Sequence, residues 1–239
     1  MSTKSIELND LFDYGYKIYQ DPDYFKFSLD SVLLAEFVDI KNGQKEILDF
    51  CSGNAPIPMI LSSKYGNNIN ITGIELQEEI YNLGLMSINY NGFKNITYLI
   101  EDVNNLPIVF KNKKFNIVTC NPPYFKVNGT NLTNENETKA IARHEIKIDL
   151  ESIIKVASKV LENQGYLYMV HRADRLADIV ILFNKYKFGL KRIVPVYSKR
   201  DMNANLILIE AIYNGKDYVI VDNPIYLDEL KSYKNIFER

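Results

Sequence analysis

The segment Asn121-Pro122-Pro123-Tyr124 carries the most specific chemical signal in the sequence. It directly follows the apolar run Phe115–Cys120, which predicts a buried β-strand. Two consecutive prolines fix two φ angles and remove two N–H donors, and the first of them favours an extended conformation at Asn121. The pattern predicts a rigid turn that presents bare carbonyl oxygens at the end of a strand.

Such oxygens suit a planar amino group, whose nitrogen is a poor nucleophile because its lone pair is delocalised. The side-chain oxygen of Asn121 and the carbonyl of Pro122 can each accept one N–H of this group. The two contacts draw the nitrogen toward tetrahedral geometry and stabilise the positive charge that develops during methyl transfer. Tyr124 offers a flat face on which a base can stack. The segment therefore indicates methyl transfer to a planar NH2, the alternative being an ordinary Pro-Pro loop capped by asparagine.

Three acidic residues, Asp49, Glu75 and Asp102, stand at the ends of successive predicted strands. In an open parallel sheet, ligands bind outside the carboxyl ends of the strands. The small-residue turn Cys51-Ser52-Gly53-Asn54-Ala55 follows the first acid and enters a helix, so its backbone can approach a nucleoside. Glu75 is then placed to accept from ribose hydroxyls, and Asp102 to accept from an exocyclic adenine amino group. A single acid of this kind is often a solvated loop residue, but the regular placement of three favours a nucleoside pocket.

Short apolar runs alternate with segments of helical periodicity, which predicts an α/β fold with a mainly parallel sheet. The predicted strands are residues 46–50, 69–75, 96–100, 115–120, 165–171, 190–197 and 206–213. The short charged turn between the last two predicts an antiparallel hairpin. Helices are predicted near residues 29–38, 57–65, 76–87, 150–161 and 176–183.

The chain is predicted to contain one principal domain with short additions at both ends. Residues 1–44 form an extension packed on the core, residues 45–215 form the domain itself, and residues 216–239 form its C-terminal tail. Residues 127–138, rich in Asn, Thr, Glu and Gly, predict a long mobile loop beside Tyr124.

Composition excludes several classes of protein. With 46% hydrophobic and 24% charged residues among 239, the chain is typical of a globular protein rather than a disordered one. A net charge of −2 gives no global basic signature of nucleic-acid binding, although a local patch remains possible. Two cysteines are too few for a disulfide framework, and with two histidines they predict no metal site. No signal segment or membrane span is evident, so a cytoplasmic protein is expected. We expect it to be a monomer.

With these features described, the chain resembles the class I, Rossmann-like S-adenosylmethionine methyltransferases of the Asn-Pro-Pro-Tyr type. It resembles more closely the bacterial tRNA(Val) adenine N6-methyltransferases that modify the adenosine beside the anticodon. The resemblance runs from about Asp10 to Tyr213. The segments that carry it are Phe27-Ser28-Leu29-Asp30-Ser31-Val32-Leu33-Leu34-Ala35, Asp49 to Pro58, Gly73-Ile74-Glu75, Cys120 to Phe125, Ala142-Arg143-His144-Glu145, Val170-His171-Arg172 and Tyr197 to Glu210.

The resemblance implies a seven-stranded sheet with helices on both faces and an antiparallel last strand. It also implies S-adenosylmethionine as cofactor, tRNA as substrate and partner, and catalytic roles for Asn121, Pro122, Pro123 and Tyr124. The resemblance implies cofactor contacts at Asp49, Gly53, Glu75 and Asp102. Cys51 and Asp30 are further candidates; Asp30 opens the leucine-rich helix, either as a cap or as a group that faces the amino-acid end of the cofactor.

The chain departs from the family's glycine-rich turn at Cys51 and Ala55, where glycines are usual. A Cβ restricts both φ and the close approach of a ligand to the backbone. Of the two positions, Ala55 is the harder to accommodate. The departure from glycine favours weaker binding of the cofactor.

Basic residues near the end of the chain and beside the predicted loop are candidates for contact with an RNA backbone. They are Arg143, Lys191, Arg192, Lys199 and Arg200. Surface ion pairs and a solvated hairpin turn are the alternatives at these positions.

Other functions remain open at the level of sequence. The same turn would serve methylation of a glutamine amide in a protein or of guanine in ribosomal RNA. A nicotinamide-dependent oxidoreductase can use a similar fold, but the Gly-x-Gly-x-x-Gly pattern is missing. A non-catalytic RNA-binding protein is the fourth possibility, because of the altered glycine turn.

Overall fold

The computed structural model describes residues 6–22, 28–41, 43–123, 149–234 and 236–237. In chain order its strands are β1 (Glu7–Asp10), β2 (Lys17–Gln20), β3 (Glu46–Phe50), β4 (Asn70–Glu75), β5 (Ile96–Ile100), β6 (Phe115–Cys120), β7 (Leu161–Arg172), β8 (Phe188–Tyr197), β9 (Ala204–Tyr213), β10 (Ile220–Val221) and β11 (Ile225–Tyr226). The α-helices are α1 (Leu29–Phe37), α2 (Pro56–Tyr65), α3 (Glu78–Asn91), α4 (Leu106–Val109), α5 (Leu150–Val160) and α6 (Leu176–Lys185).

One sheet organises the molecule, with strand order β10-β8-β9-β7-β6-β3-β4-β5 and with β11 also paired to β8. Strands β3 to β7 pair in parallel, whereas β9 runs antiparallel to both of its neighbours, β7 and β8. The predicted Rossmann-like α/β fold and the antiparallel hairpin are confirmed. The predicted count of seven strands is wrong, because the sheet formed by the described residues has nine. The two additional strands contain two residues each, too few to show an alternating pattern in sequence.

Strand β3 occupies the point where the strand order reverses. The chain adds β4 and β5 on one side of β3 and returns to place β6 on the other. In this register Asp49 lies beside Gly73 of β4 and Thr119 of β6. Open α/β sheets bind ligands at such a switch point, outside the carboxyl ends of the strands.

Helices cover both faces of the sheet and bury two separate apolar clusters. Residues of α1 and α2, with Ile88 of α3, pack against one face. Residues of α5 and α6 pack against the other face, with Leu106 of α4. Helix α5 is capped by Asp149, whose carboxylate accepts from the Ser152 N–H at 2.7 Å. Helix α3 ends at its C-cap Gly92, which adopts a left-handed φ of 74°.

The N-terminal residues form a hairpin, β1–β2, that the sequence did not predict because its strands are short and show no clear alternation. The hairpin is joined to α3 by hydrogen bonds from the Lys17 N–H to Asn91 Oδ1 and from the Tyr19 N–H to Ser87 Oγ, both 2.9 Å.

From the pattern of the sequence, we propose that the chain divides into an extension (1–44), a domain (45–215) and a tail (216–239).

Candidate active site

Parallel pairing brings the predicted acidic strand ends to one edge of the sheet. Phe50 at the end of β3 lies beside Ile74 of β4 and Cys120 of β6. Glu75 at the end of β4 lies beside Ile100 of β5. The turn after β3, Glu75, Asp102 and Asn121 therefore follow four adjacent strands at the same edge.

The turn of residues 51–55 uses three left-handed residues in alternation. The φ angles are 53° at Cys51, 61° at Gly53 and 71° at Ala55. A non-glycine residue in this region carries a steric cost of order 1–3 kcal/mol. Cys51 and Ala55, which replace the family's usual glycines, are therefore strained in this turn. The turn adopts the left-handed conformation at all three positions although two of the three residues have a Cβ. Hydrogen bonds hold it, including Ser52 N–H to the Ile74 carbonyl at 2.8 Å.

Asp49 lies beneath this turn with 0% of its surface exposed. Its two carboxyl oxygens accept from the hydroxyls of Ser52, at 2.5 Å, and Thr119. Burial raises the pKa of the Asp49 carboxyl from its usual 3.8 to about 7, against the lowering effect of these two hydrogen bonds. The side chain joins β3, β6 and the turn; contact with the cofactor at this position stays a prediction.

The titration of Asp49 gives a testable pH dependence of stability. Because the pKa is near 3.8 unfolded and about 7 folded, the folded state binds more protons in this window. Its stability therefore falls as pH rises from 4 to 7, by about 1 kcal/mol per pH unit. In Asp49→Asn the group no longer titrates. Denaturant unfolding of both proteins between pH 5 and 8 should show wild type losing stability relative to the variant up to pH 7 and levelling off above it. A difference independent of pH would contradict the raised pKa.

Glu75 fixes the other side of the turn. Its carboxylate accepts from the Gly53 N–H and the Gln77 N–H, each at 2.9 Å. Only 6% of the residue is exposed, and burial raises the pKa of its carboxyl. Carboxylate oxygens have further lone pairs, so these contacts leave capacity for ribose hydroxyls.

Tyr98 of β5 supports the turn from below, and the sequence did not reveal it. Its hydroxyl donates to the Gly53 carbonyl. Its ring fits between Gly73 and Gly84, where an added Cβ would lie 2.7 Å and 2.6 Å from ring atoms. A glycine inside a strand and another inside a helix were the available signals, because such positions often permit a close approach.

The open side of the turn fits a nucleoside cofactor. A Cβ built on Gly53 would meet no protein atom within 4 Å, so the backbone there faces open space. The apolar side chains of Leu76 and Ile100 are 48% and 47% exposed beside Glu75. Asp102 is half-buried and accepts from the Asn104 N–H at 2.8 Å. Two apolar side chains next to acceptor groups suit an adenosine moiety, whose base is flat and whose ribose donates.

Asn121 follows β6 and lies against the start of α1. Its Nδ2 donates to the Ser31 hydroxyl at 2.9 Å. Pro122 is buried and Pro123 half-buried. Asp30 immediately precedes Ser31 in the first turn of α1, at this same end of the molecule. Tyr124, Arg143 and residues 127–138 lie outside the described residues, and the predictions made for them remain predictions.

The four described basic candidates make different contacts. Arg192 pairs with Asp222 and stacks over the ring of Phe37 at 4.7 Å. Arg200 pairs with Glu229. Lys191 donates to the Lys216 carbonyl. Lys199 is exposed on the β8–β9 turn. Two of the four charges are thus paired with acids, and contact with RNA at these residues remains a prediction.

His171 at the end of β7 is a further polar group near this edge, named in sequence only within a family segment. It is buried, and its Nδ1 accepts from the Arg172 N–H at 2.9 Å. Burial, together with nearby Arg175, lowers the pKa of His171 to about 4, so the imidazole is neutral at pH 7.

Among the described residues, none of the helices is both long and apolar enough to cross a membrane. Within that part of the chain, no three His, Cys, Asp or Glu side chains are grouped so that they could hold a metal ion.

Comparison with known proteins gives consistent matches. Residues 41–210 match the family described as "Methyltransferase domain". The tRNA1(Val) (adenine(37)-N6)-methyltransferase of Tolumonas auensis is 25% identical over 195 residues, which cover 81% of this chain and 79% of that protein. The release factor glutamine methyltransferase of Buchnera aphidicola is 31% identical over 156 residues, 62% of this chain and 54% of that protein.

Solved structures show the same fold at low sequence identity. A predicted O-methyltransferase from Agrobacterium tumefaciens superposes with a TM-score of 0.65 at 21% identity, over 85% of this chain and 89% of that one. A class I S-adenosylmethionine-dependent methyltransferase from Listeria monocytogenes gives a TM-score of 0.58 at 17% identity, over 83% and 64% of the two chains.

Proposed function

The chain belongs to the methyltransferase domain family, and on that basis we propose that it methylates N6 of an adenosine in tRNA, in the anticodon loop of tRNA-Val. The observation that carries the proposal is the position of Asn121-Pro122-Pro123, after the end of β6 and on the same sheet edge as the turn of residues 51–55. An acceptor pair at this place would lie beside the proposed cofactor site, where a methyl donor and an amine would meet.

S-adenosylmethionine is the cofactor, and the residues at the sheet edge fit it. Gly53 offers open backbone, Glu75 offers acceptor oxygens, and Leu76 and Ile100 offer apolar contact. When bound, the cofactor supplies an electrophilic methyl group on a sulfonium. Asp30 and Asp102 are proposed to contact it as well.

The protein's own contribution to the reaction is to hold and polarise the amine. Oδ1 of Asn121 and the carbonyl of Pro122 accept the two N–H groups, which moves electron density onto the nitrogen as it becomes tetrahedral. Two prolines hold the acceptors in place, so little reorganisation is needed during the reaction. The nitrogen becomes positively charged on attack, hence its extra proton can leave to water afterwards and no strong base is required.

Several relatives named tRNA1(Val) (adenine(37)-N6)-methyltransferase support tRNA as the substrate, at 21–28% identity. The release factor glutamine methyltransferase relative supports a second candidate, a glutamine amide, because this is also a planar NH2. Family membership opposes the oxidoreductase alternative, and the fit of the cofactor site opposes a non-catalytic RNA-binding protein.

A direct assay tests the substrate. The purified protein is incubated with labelled S-adenosylmethionine and an unmodified tRNA-Val transcript, and the nucleosides are analysed by mass spectrometry. N6-methyladenosine is expected, and a transcript with guanosine in place of the anticodon-adjacent adenosine should remain unlabelled. Parallel reactions contain a release factor or ribosomal RNA. Label confined to either of these would reject tRNA as the substrate.

Loss of the gene provides the test in cells. Transfer RNA from cells lacking the protein should lose N6-methyladenosine from tRNA-Val and regain it when the gene is restored. An unchanged level of the nucleoside would count against the proposal.

A further inference from the structure

Ser31 connects the N-terminal helix to the proposed catalytic asparagine. Its hydroxyl oxygen lies 2.9 Å from Nδ2 of Asn121 and accepts a hydrogen bond from it, across 90 residues of sequence. Ser31 is itself buried, with 6% of its surface exposed. It precedes residues 41–210, the part of the chain that matches the family.

The helix gives this hydroxyl a fixed position. Ser31 N–H donates to the Ser28 carbonyl in the first turn of α1. The next three residues, Val32, Leu33 and Leu34, are fully buried in the core. A side chain held by such a helix cannot move without disturbing close packing.

The two ends of an asparagine amide are chemically different. The nitrogen carries two donors, whereas the oxygen only accepts. The χ2 torsion that turns the amide is broad and roughly two-fold, so packing alone does not fix it well. Only the oxygen can accept an N–H of the amine. If the amide were rotated by about 180°, the N–H groups of Nδ2 would face the N–H groups of the amine. With Nδ2 bound to Ser31, Oδ1 lies on the side of the amide away from that hydroxyl.

We infer that Ser31 is a positioning residue, which holds the Asn121 amide with its oxygen directed to the acceptor amine. The inference rests on the proposed function, since it takes Asn121 to bind the amine. Ser31 acts through Asn121 and needs no contact of its own with cofactor or substrate. The N-terminal helix is on this account a working part of the active site.

Kinetics of Ser31→Ala test this role. Loss of the anchor should lower kcat about 10- to 100-fold, the scale set by misorientation of reacting groups. KM for the acceptor and Kd for S-adenosylhomocysteine should stay within about twofold of the wild-type values, because ground-state binding of substrate and cofactor does not depend on this hydrogen bond. Ser31→Thr keeps the hydroxyl and should recover most of kcat. An unchanged kcat in Ser31→Ala would overturn the inference.

The chain offers a matched control in Ser62 of α2. It is also a buried helical serine, and its hydroxyl lies 2.6 Å from Oδ1 of another asparagine, Asn95. Ser62→Ala should lose comparable stability and keep its kcat. Equal losses of kcat in the two variants would assign the effect to stability alone and reject positioning.

A double variant tests whether Ser31 acts through Asn121. Added to Asn121→Ala, the Ser31→Ala change should reduce the residual rate by less than about twofold, since coupled residues are not additive. A further drop as large as that of the single Ser31 variant would overturn the inference.

An NMR measurement separates this inference from the substrate assignment. The side-chain amide of Asn121 is identified by the 15N–1H pair that disappears in Asn121→Ala. In Ser31→Ala its hydrogen exchange with water should accelerate at least about tenfold, because the donor has lost its buried partner. The measurement needs no substrate, so it holds whichever amine is methylated. An unchanged exchange rate in Ser31→Ala rejects the anchor, while absence of tRNA methylation by wild type rejects the substrate alone.

Discussion

Asn121→Ala should lower the single-turnover rate of methyl transfer about 10²- to 10³-fold, the cost of removing one preorganised group that stabilises charge in a transition state. The variant removes the side-chain acceptor of the amine, but leaves the Pro122 carbonyl and the cofactor turn. Binding of S-adenosylhomocysteine, measured by titration calorimetry, should therefore change little. The rate is measured with saturating cofactor and with enzyme in excess over tRNA.

Asn116 provides the control for this variant. It lies on β6, the strand that Asn121 follows, at the end far from Asn121, where its Oδ1 accepts from the N–H groups of Lys45 and Glu46 at 2.8 Å. Asn116→Ala should reduce stability and leave the rate unchanged. If Asn121→Ala methylates tRNA at the wild-type rate, the assigned role of Asn121 is wrong.

The positions of the acidic residues could be predicted because they depend on a regular rule. Each strand is a short apolar run, and parallel pairing aligns the carboxyl ends of all of them. Asp49, Glu75 and Asp102 lie at the ends of three such runs. This placement is enough to predict that they share one edge of the sheet. The strand bounds followed for the same reason, with β3, β5 and β6 agreeing to the residue.

The supporting contacts could not be predicted, since they join residues far apart with no shared pattern. Only the tertiary fold brings Ser31 to Asn121, and Tyr98 to Gly53, Gly73 and Gly84. A serine in an apolar helix and a tyrosine in a strand are common in any core. Their partners depend on rotamers and on the exact register, which sequence periodicity does not encode.

Burial also changes what an acidic residue can do, and this was not visible in sequence. Asp49 and Glu75 both follow the strand-end pattern, but Asp49 is entirely enclosed and is held by two hydroxyls. Glu75 instead binds two backbone N–H groups at the open side of the turn. Of the two, Glu75 is the residue whose removal should affect cofactor binding most directly.

Glu75→Ala should weaken binding of S-adenosylhomocysteine at least about 100-fold. The carboxylate makes hydrogen bonds to the Gly53 and Gln77 N–H groups, and hydrogen bonds to a charged group contribute about 1.5–3 kcal/mol each. Without it the turn loses its anchor, two donors lose their acceptor, and the expected contact with ribose hydroxyls is lost as well. Titration calorimetry gives the affinity, and thermal unfolding without ligand shows whether the fold persists.

Two further variants distinguish a specific contact from a general effect of charge. Glu75→Gln keeps one acceptor oxygen without the charge and should lie between wild type and Glu75→Ala, about tenfold weaker than wild type, as for one weakened charge-assisted bond. Glu78→Ala removes an exposed carboxylate three residues away, in the first turn of α3, and should leave the affinity unchanged. If Glu75→Ala binds the ligand as tightly as wild type, then the turn does not need its carboxylate anchor, and the nucleoside is held elsewhere on this edge. If Glu78→Ala weakens binding equally, long-range charge accounts for the loss and the hydrogen bonds to Gly53 and Gln77 do not.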